Sequence, residues 1–145
     1  MKTICVFCGS HSGKRPAYVE AARRLGWKLA ESSIDLVYGG GSIGLMGTLA
    51  NAVLDRNGRA IGVIPDWLSN AEVMHEGLTE LHVVSSMHER KALMSKLADG
   101  FIALPGGFGT FEEVLEIITW AQLGIQRKPI GLLDLEGYFR PLIDL

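Results

Sequence analysis

Little in residues 1–145 commits the chain to a membrane, a nucleic acid or a disulfide framework. No apolar run reaches the roughly 18 residues a bilayer span requires. The opening MKTICVFCGS is too short and too polar at its end for a signal peptide, so the expected location is cytoplasmic. Charge is nearly balanced, 14 Lys and Arg against 16 Asp and Glu, and no basic stripe is present, which argues against a nucleic-acid polymer as partner. There are two cysteines, Cys5 and Cys8. A C-x-x-C redox pair sits at a helix N-terminus. This one lies inside TICVFC, which reads as a strand, where residues i and i+3 face opposite ways. Two buried structural thiols are expected. The four histidines, His11, His75, His82 and His88, form no metal-ligand spacing, and no metal is expected. Neither an internal repeat nor a low-complexity segment occurs.

What is present is an ordinary globular composition. The chain is 48% apolar and 21% charged, and its 145 residues are enough for one domain with a core, residues 1–145. Strand-like and helix-like segments alternate. TICVFC, IDLVYGG, RAIGVIP, LHVV, GFIALPG and KPIGLLD read as strands. Helical patterns cover 17–31, 44–58, 86–98 and 110–124, and GYFRPLIDL looks like the start of another. Asn57-Gly58 is a helix stop signal. DWLSNAEVMHEGLTE shows no clean period and reads as a long loop with short turns. The expected fold class is α/β, a Rossmann-like, doubly wound sheet of mostly parallel strands with helices on both faces. Such sheets bind ligands at the carboxyl ends of their strands.

The 18 glycines cluster after strands. Gly9-Ser10 follows the first, YGGGSIGLMG the second and PGGFGT the fifth. Glycine there lets backbone approach a ligand and lets N–H groups converge at a helix N-terminus, an arrangement suited to phosphate. Tight turn geometry without a ligand is the plainer alternative. Gly39, Gly41 and Gly44 also satisfy G-x-G-x-x-G, with Asp66 about 20 residues on, as a dinucleotide site asks. That fingerprint normally follows the first strand of its sheet, so an NAD-dependent oxidoreductase is a weak reading.

Two helices carry charge in unusual places. In SMHERKALMSKLA, Met87, Met94 and Leu97 mark an apolar stripe, and Arg90 and Lys91 fall on it at i+3 and i+4 from Met87. Cations on an inward stripe need an anion or a path to water. Either they snorkel or Arg90, with Lys91, faces an anionic ligand. In TFEEVLEIITWAQLG, Thr110-x-x-Glu113 is a capping box by sequence. The functional alternative makes Glu113 a general base, or a stabiliser of a cationic transition state, beside a phosphate-binding loop. Glu112 has the same chemistry, but helical geometry turns the two about 100° apart, so one of them faces the site.

The stretch PGGFGTFEE resembles the P-G-G-x-G-T-x-x-E motif of the LOG ("lonely guy") family, cytokinin riboside 5′-monophosphate phosphoribohydrolases with bacterial relatives once labelled lysine decarboxylases. The resemblance continues through CVFCGS, YGGGSIGLMG, MHERKALM and EEVLEIITWAQLGI and covers nearly the whole chain. It implies hydrolysis of the N-glycosidic bond of a nucleoside 5′-monophosphate, N6-prenylated AMP or AMP, to free base and ribose 5-phosphate, with no cofactor. It implies Arg90 and Glu113 as catalytic residues. Arg90, Lys91, Gly106, Gly107, Phe108, Gly109, Thr110, Phe111, Glu112, Glu113, Thr119 and Glu72 become substrate-binding positions, and Gly9, Ser10, Gly39, Gly40, Gly41 and Gly44 join them through the other glycine loops. A homodimer or larger homo-oligomer is implied, with each site completed near the subunit interface. Family chains continue for further helical segments past the position of Leu145, so the family's C-terminal helical end is expected to lie outside residues 1–145. The segment around Glu72 departs from the family's proline- and glycine-containing pattern, and substrate preference is the property expected to change there. A non-catalytic nucleotide-binding or carrier protein of the same fold is the alternative; it needs the glycine loops but not Glu113. A pyridoxal-phosphate decarboxylase is rejected, because no lysine sits in an obvious Schiff-base context.

Overall fold

The apolar run Thr3–Phe7 forms β1, an interior strand that alternates its side chains between two cores. Ile4, Val6 and Cys8 enter one cluster, while Cys5 and Phe7 enter the other. Both cysteines are buried, on opposite faces of the sheet as expected. The computed structural model describes residues 1–145, apart from the side chains of Ala71 and Glu72.

After β1 come α1 (Pro16–Glu31), β2 (Asp35–Tyr38), α2 (Gly44–Asp55) and β3 (Ala60–Pro65). A single 3-10 turn, Asp66–Leu68, leads into the short α3 (Ser69–Glu72). Then follow β4 (Glu80–Val84), α4 (Met87–Leu97), β5 (Gly100–Ala103), α5 (Phe108–Gln122), β6 (Ile130–Leu132), a 3-10 turn at Leu135–Gly137 and α6 (Arg140–Asp144). The strands make one sheet in the order β4-β3-β2-β1-β5-β6, and every pairing is parallel. Parallel strands need crossovers, and the helices that provide them cover both faces. Ala22 and Leu29 of α1 with Leu45, Leu49 and Val53 of α2 close one face. Met94 of α4, Val114 and Ile117 of α5, and Phe139 close the other.

Local signals explain most boundaries. Proline at the first position of α1 fits a place where its missing N–H has no use. Helix α2 stops where Asn57 takes a left-handed φ of 59°, and the Gly58 N–H donates to the Val53 carbonyl at 2.9 Å. The residue in the left-handed region is thus the asparagine, not the glycine after it.

The helix caps correct one expectation. Helix α5 begins at Phe108, two residues before Thr110, with Gly107 as its N-cap and no side-chain cap. Thr110 is the third helical residue, so Thr110 and Glu113 do not form a capping box. A side-chain cap is found at α4 instead. The Glu89 N–H donates to Ser86 Oγ at 3.1 Å, and the Ser85 N–H and hydroxyl donate to Glu89 Oε2, both at 2.9 Å. These bonds, the backbone one first, hold the Glu89 carboxyl below its ordinary value.

A depressed carboxyl contributes stability above its unfolded pKa, and that contribution is lost as pH falls through the folded value. Glu89→Gln is therefore expected to lower the melting temperature at pH 7, and the gap to wild type should close on acidification below about pH 4. Thermal melts of both proteins between pH 7 and pH 3 check this. A gap that is constant across the range would mean that Glu89 acts through packing alone.

Candidate active site

Strands β1 and β5 are neighbours, but the chain leaves them in opposite directions, from β1 toward β2 and from β5 toward β6. Their carboxyl ends therefore flank a crevice that no crossover covers, the usual ligand position in an open α/β sheet. A cavity of about 630 Å³ lies there, within the range of small-molecule sites.

Its wall comes from both sides of the switch point. Cys8, Gly9, Ser10 and His11 follow β1, and Pro105, Gly106, Gly107, Phe108, Gly109 and Thr110 lead from β5 into α5. Arg90 and Met87 enter from α4, Leu45 and Met46 from α2, and Glu113 from the second turn of α5. The first N–H groups of α5 have no intrahelical partner, and no side chain caps them. A Cβ placed on Gly107 or Gly109 would meet nothing within 4 Å, so bare backbone faces open space there. Partial positive charge at a helix N-terminus and exposed amides together suit an anion.

Arg90 is only 2% exposed. Its Nε donates to the Val63 carbonyl at 2.9 Å and its Nη2 to the Gly39 carbonyl at 2.7 Å. Nη1 lies 3.8 Å from the Met87 sulfur. The last register pair between β2 and β3 is Tyr38 with Gly62. Arg90 thus bonds carbonyls just past the end of that ladder. Glu113 is 9% exposed, buried in the same wall. Burial first, and the charge of Glu113 next, hold the Cys5 thiol well above its ordinary value, while Arg90 acts against them. One carboxylate and one guanidinium therefore act on the same buried thiol of the central strand.

Of the positions expected from sequence, Gly9, Ser10, Arg90, Gly106, Gly107, Phe108, Gly109, Thr110 and Glu113 come together on the cavity wall. The other described positions lie elsewhere. Lys91 turns to α5, where its Nζ donates to Glu112 at 2.5 Å and Glu116 at 2.8 Å. Burial alone would lower the Lys91 ammonium, but these two carboxylates outweigh it and raise its pKa. Glu112 is thus the exposed partner of Lys91, and Glu113 is the glutamate that faces the cavity. Phe111 packs against Tyr138 and Phe139. Thr119 is exposed and donates to the Leu115 carbonyl at 2.7 Å. The side chain of Glu72 lies outside the described residues.

The glycines of the second cluster have packing duties. A Cβ on Gly44 would come within 2.4 Å of the Ser10 backbone, and one on Gly39 within 2.1 Å of Arg90 Nη2. Gly40 takes a φ of 80°, and the Gly41 carbonyl accepts from the Tyr38 hydroxyl. Close contact with Arg90 and with the Ser10 backbone thus requires glycine at two of the three G-x-G-x-x-G positions, Gly39 and Gly44. No group of three metal-ligating side chains occurs among the described residues.

Other wall residues carry no motif that marks them. Lys14 and Arg15 lie in the loop SHSGKRP, whose cations become interpretable only once the loop is placed at the switch point. Tyr18 and Tyr138 meet edge to face at 5.7 Å, although they lie near opposite ends of the sequence.

Gly39→Ala is expected to displace Arg90 from two backbone carbonyls and to destabilise the fold by about 2–3 kcal/mol, the scale of lost hydrogen bonds to a buried charge. Urea denaturation measures this. A midpoint within error of wild type would show that the guanidinium has another place to go.

Three comparisons place this geometry among known proteins. The family model described as "Possible lysine decarboxylase" matches residues 46–145. Cytokinin riboside 5′-monophosphate phosphoribohydrolase LOG7 of Arabidopsis thaliana is 58% identical over 98% of this chain, which spans 65% of that protein. Cytokinin riboside 5′-monophosphate phosphoribohydrolase LOG of Oryza sativa subsp. japonica is 56% identical over 98% of this chain, which spans 59% of it. The chain thus spans about three-fifths to two-thirds of the length of these curated relatives. The Moco carrier protein of Chlamydomonas reinhardtii superposes with a TM-score of 0.73 at 23% identity, covering 91% of this chain and 75% of its own, a likeness of fold alone. With a family model over more than half its length and relatives of this identity, the chain belongs to the LOG family, within the wider family described as possible lysine decarboxylase.

Proposed function

We propose that the protein is a nucleoside 5′-monophosphate phosphoribohydrolase acting on N6-prenylated AMP or AMP. Relatives at 56–58% identity carry the name cytokinin riboside 5′-monophosphate phosphoribohydrolase. The observation that carries the reading is a buried carboxylate, Glu113, in the same wall as the uncapped N-terminus of α5.

The chemistry follows from charge. Breaking an N-glycosidic bond builds positive charge on the ribose, as in glycoside hydrolysis. The amides of residues 107–110 would hold the 5′-phosphate, and Lys14 on the wall favours the same anion, whereas Arg15 is paired with Glu136. A phosphate anchored there fixes the sugar relative to Glu113, one to two turns into the same helix. Glu113 would stabilise the oxocarbenium-like ribose and orient the water that adds at C1′. The base departs with a proton, and ribose 5-phosphate remains. Arg90, held by bonds to two carbonyls, would orient the carboxylate or bind the substrate. Lys91 would act indirectly, by holding α4 against α5 through Glu112 and Glu116.

We also propose that residues 1–145 form a single nucleotide-binding unit, that it works in the cytoplasm and that it assembles as a homodimer or larger homo-oligomer. Leu115, Leu123 and Ile125, exposed on α5 and just past its end, support the assembly. Thr119, on the same exposed stretch, would then meet substrate only near a subunit interface.

Release of base from AMP and from N6-isopentenyl-AMP, followed by chromatography, tests the reading. Free base and ribose 5-phosphate are expected from the wild type. Glu113→Gln should slow release by about 10²-fold or more while AMP binding persists. AMP bound without any cleavage by the wild type would overturn the hydrolase in favour of a carrier.

A further inference from the structure

We infer that Tyr138 is a positioning residue that locks the Gly106–Gly107 peptide in the orientation needed to bind an anion, an inference that rests on the proposed role of the α5 N-terminus as phosphate site. Tyr138 belongs to no motif of the glycine loops. It follows the turn Leu135–Gly137, yet its hydroxyl donates to the Gly106 carbonyl across 32 positions of sequence, and both residues line the cavity.

The need for a lock comes from the glycines. A Cβ on Gly106 would lie 2.1 Å from Thr110 Oγ1 and 3.0 Å from the Gly9 nitrogen, so no side chain fits. Gly107 must start α5 with open space before it. Two successive glycines leave the peptide plane between them with little steric resistance to rotation. That plane carries the Gly106 carbonyl and the Gly107 N–H, which point in opposite directions because the peptide is planar and trans. Turning it over would exchange a donor for an acceptor at the mouth of the helix. An incoming phosphate would then meet oxygen lone pairs. Holding the carbonyl holds the N–H.

Tyr138 is itself well fixed. Its ring packs edge to face on Tyr18 at 5.7 Å and on Phe139 at 5.2 Å, and it stacks on Phe111 at 6.1 Å. Asp134 secures the following residues, accepting from the Phe139 N–H at 2.8 Å and from Arg140 at 3.0 Å. The ring therefore keeps its place without the hydroxyl, which makes Tyr138→Phe a test of the hydrogen bond alone.

Binding of inorganic phosphate, AMP and adenosine to wild type and Tyr138→Phe would be measured by titration, with amide spectra of residues 107–110 recorded alongside. Tyr138→Phe should melt cooperatively, bind phosphate and AMP roughly 5- to 10-fold more weakly, the scale of one hydrogen bond, and bind adenosine as wild type does. The Gly107 amide should move on phosphate addition in wild type only. Equal phosphate affinity in the two proteins, equal weakening for adenosine, or no phosphate binding by wild type would overturn the lock. AMP cleavage is assayed on the same samples. Full cleavage with unchanged phosphate affinity removes the lock and leaves the hydrolase. Selective loss of phosphate binding in a protein that never cleaves AMP keeps the lock and removes the hydrolase.

Discussion

A single buried guanidinium organises the floor of this site. Arg90 reaches from α4 beneath the strand ends and donates to Gly39 and Val63, carbonyls that lie past the last pairing of β2 with β3. A cation at 2% exposure is tolerated because carbonyl dipoles replace the water it has lost. The arrangement constrains both sides. Gly39 has no room for a side chain, and α4 is set against the sheet at a fixed height. The glycine cluster after β2 is therefore a consequence of the arginine as much as a ligand loop.

Helix α5 contributes to the same cavity and supplies two kinds of electrostatic group from one rigid rod. Its uncapped N-terminus offers amides and partial positive charge, and its second turn offers a buried carboxylate. Mounting both on one helix keeps their separation constant. Lys91, clamped between Glu112 and Glu116, ties this rod to the helix that carries Arg90. Neighbouring residues thus divide the labour. Arg90 and Glu113 turn toward the cavity wall, and Lys91 and Glu112 turn toward each other.

Much of this is legible in the sequence. Runs such as TICVF and AIGVIP are uniformly apolar because both faces of a parallel sheet are covered, and their alternation with helical periods announced the α/β fold. The inward position of Arg90 followed from its spacing with Met87. The start of α5 did not follow. Thr110-x-x-Glu113 has the composition of a capping box, but the helix already begins at Phe108, because glycine serves as N-cap with no side-chain oxygen. The true cap, at Ser86 and Glu89, has the same composition. Local sequence cannot separate the two, since the choice depends on where the preceding strand releases the chain.

Periodicities and glycine clusters are readable from residues alone, since each involves positions only a few places apart. Tertiary structure decided which of them share a cavity. Tyr138 meets Gly106, and Tyr18 meets Tyr138, only because β1 and β5 lie side by side at the point where the winding of the sheet reverses. Lys91 leaves the cavity for α5 only because two glutamates are offered there. Contacts between residues distant in sequence are set by the packing of whole helices on a common sheet, and no local pattern encodes that placement.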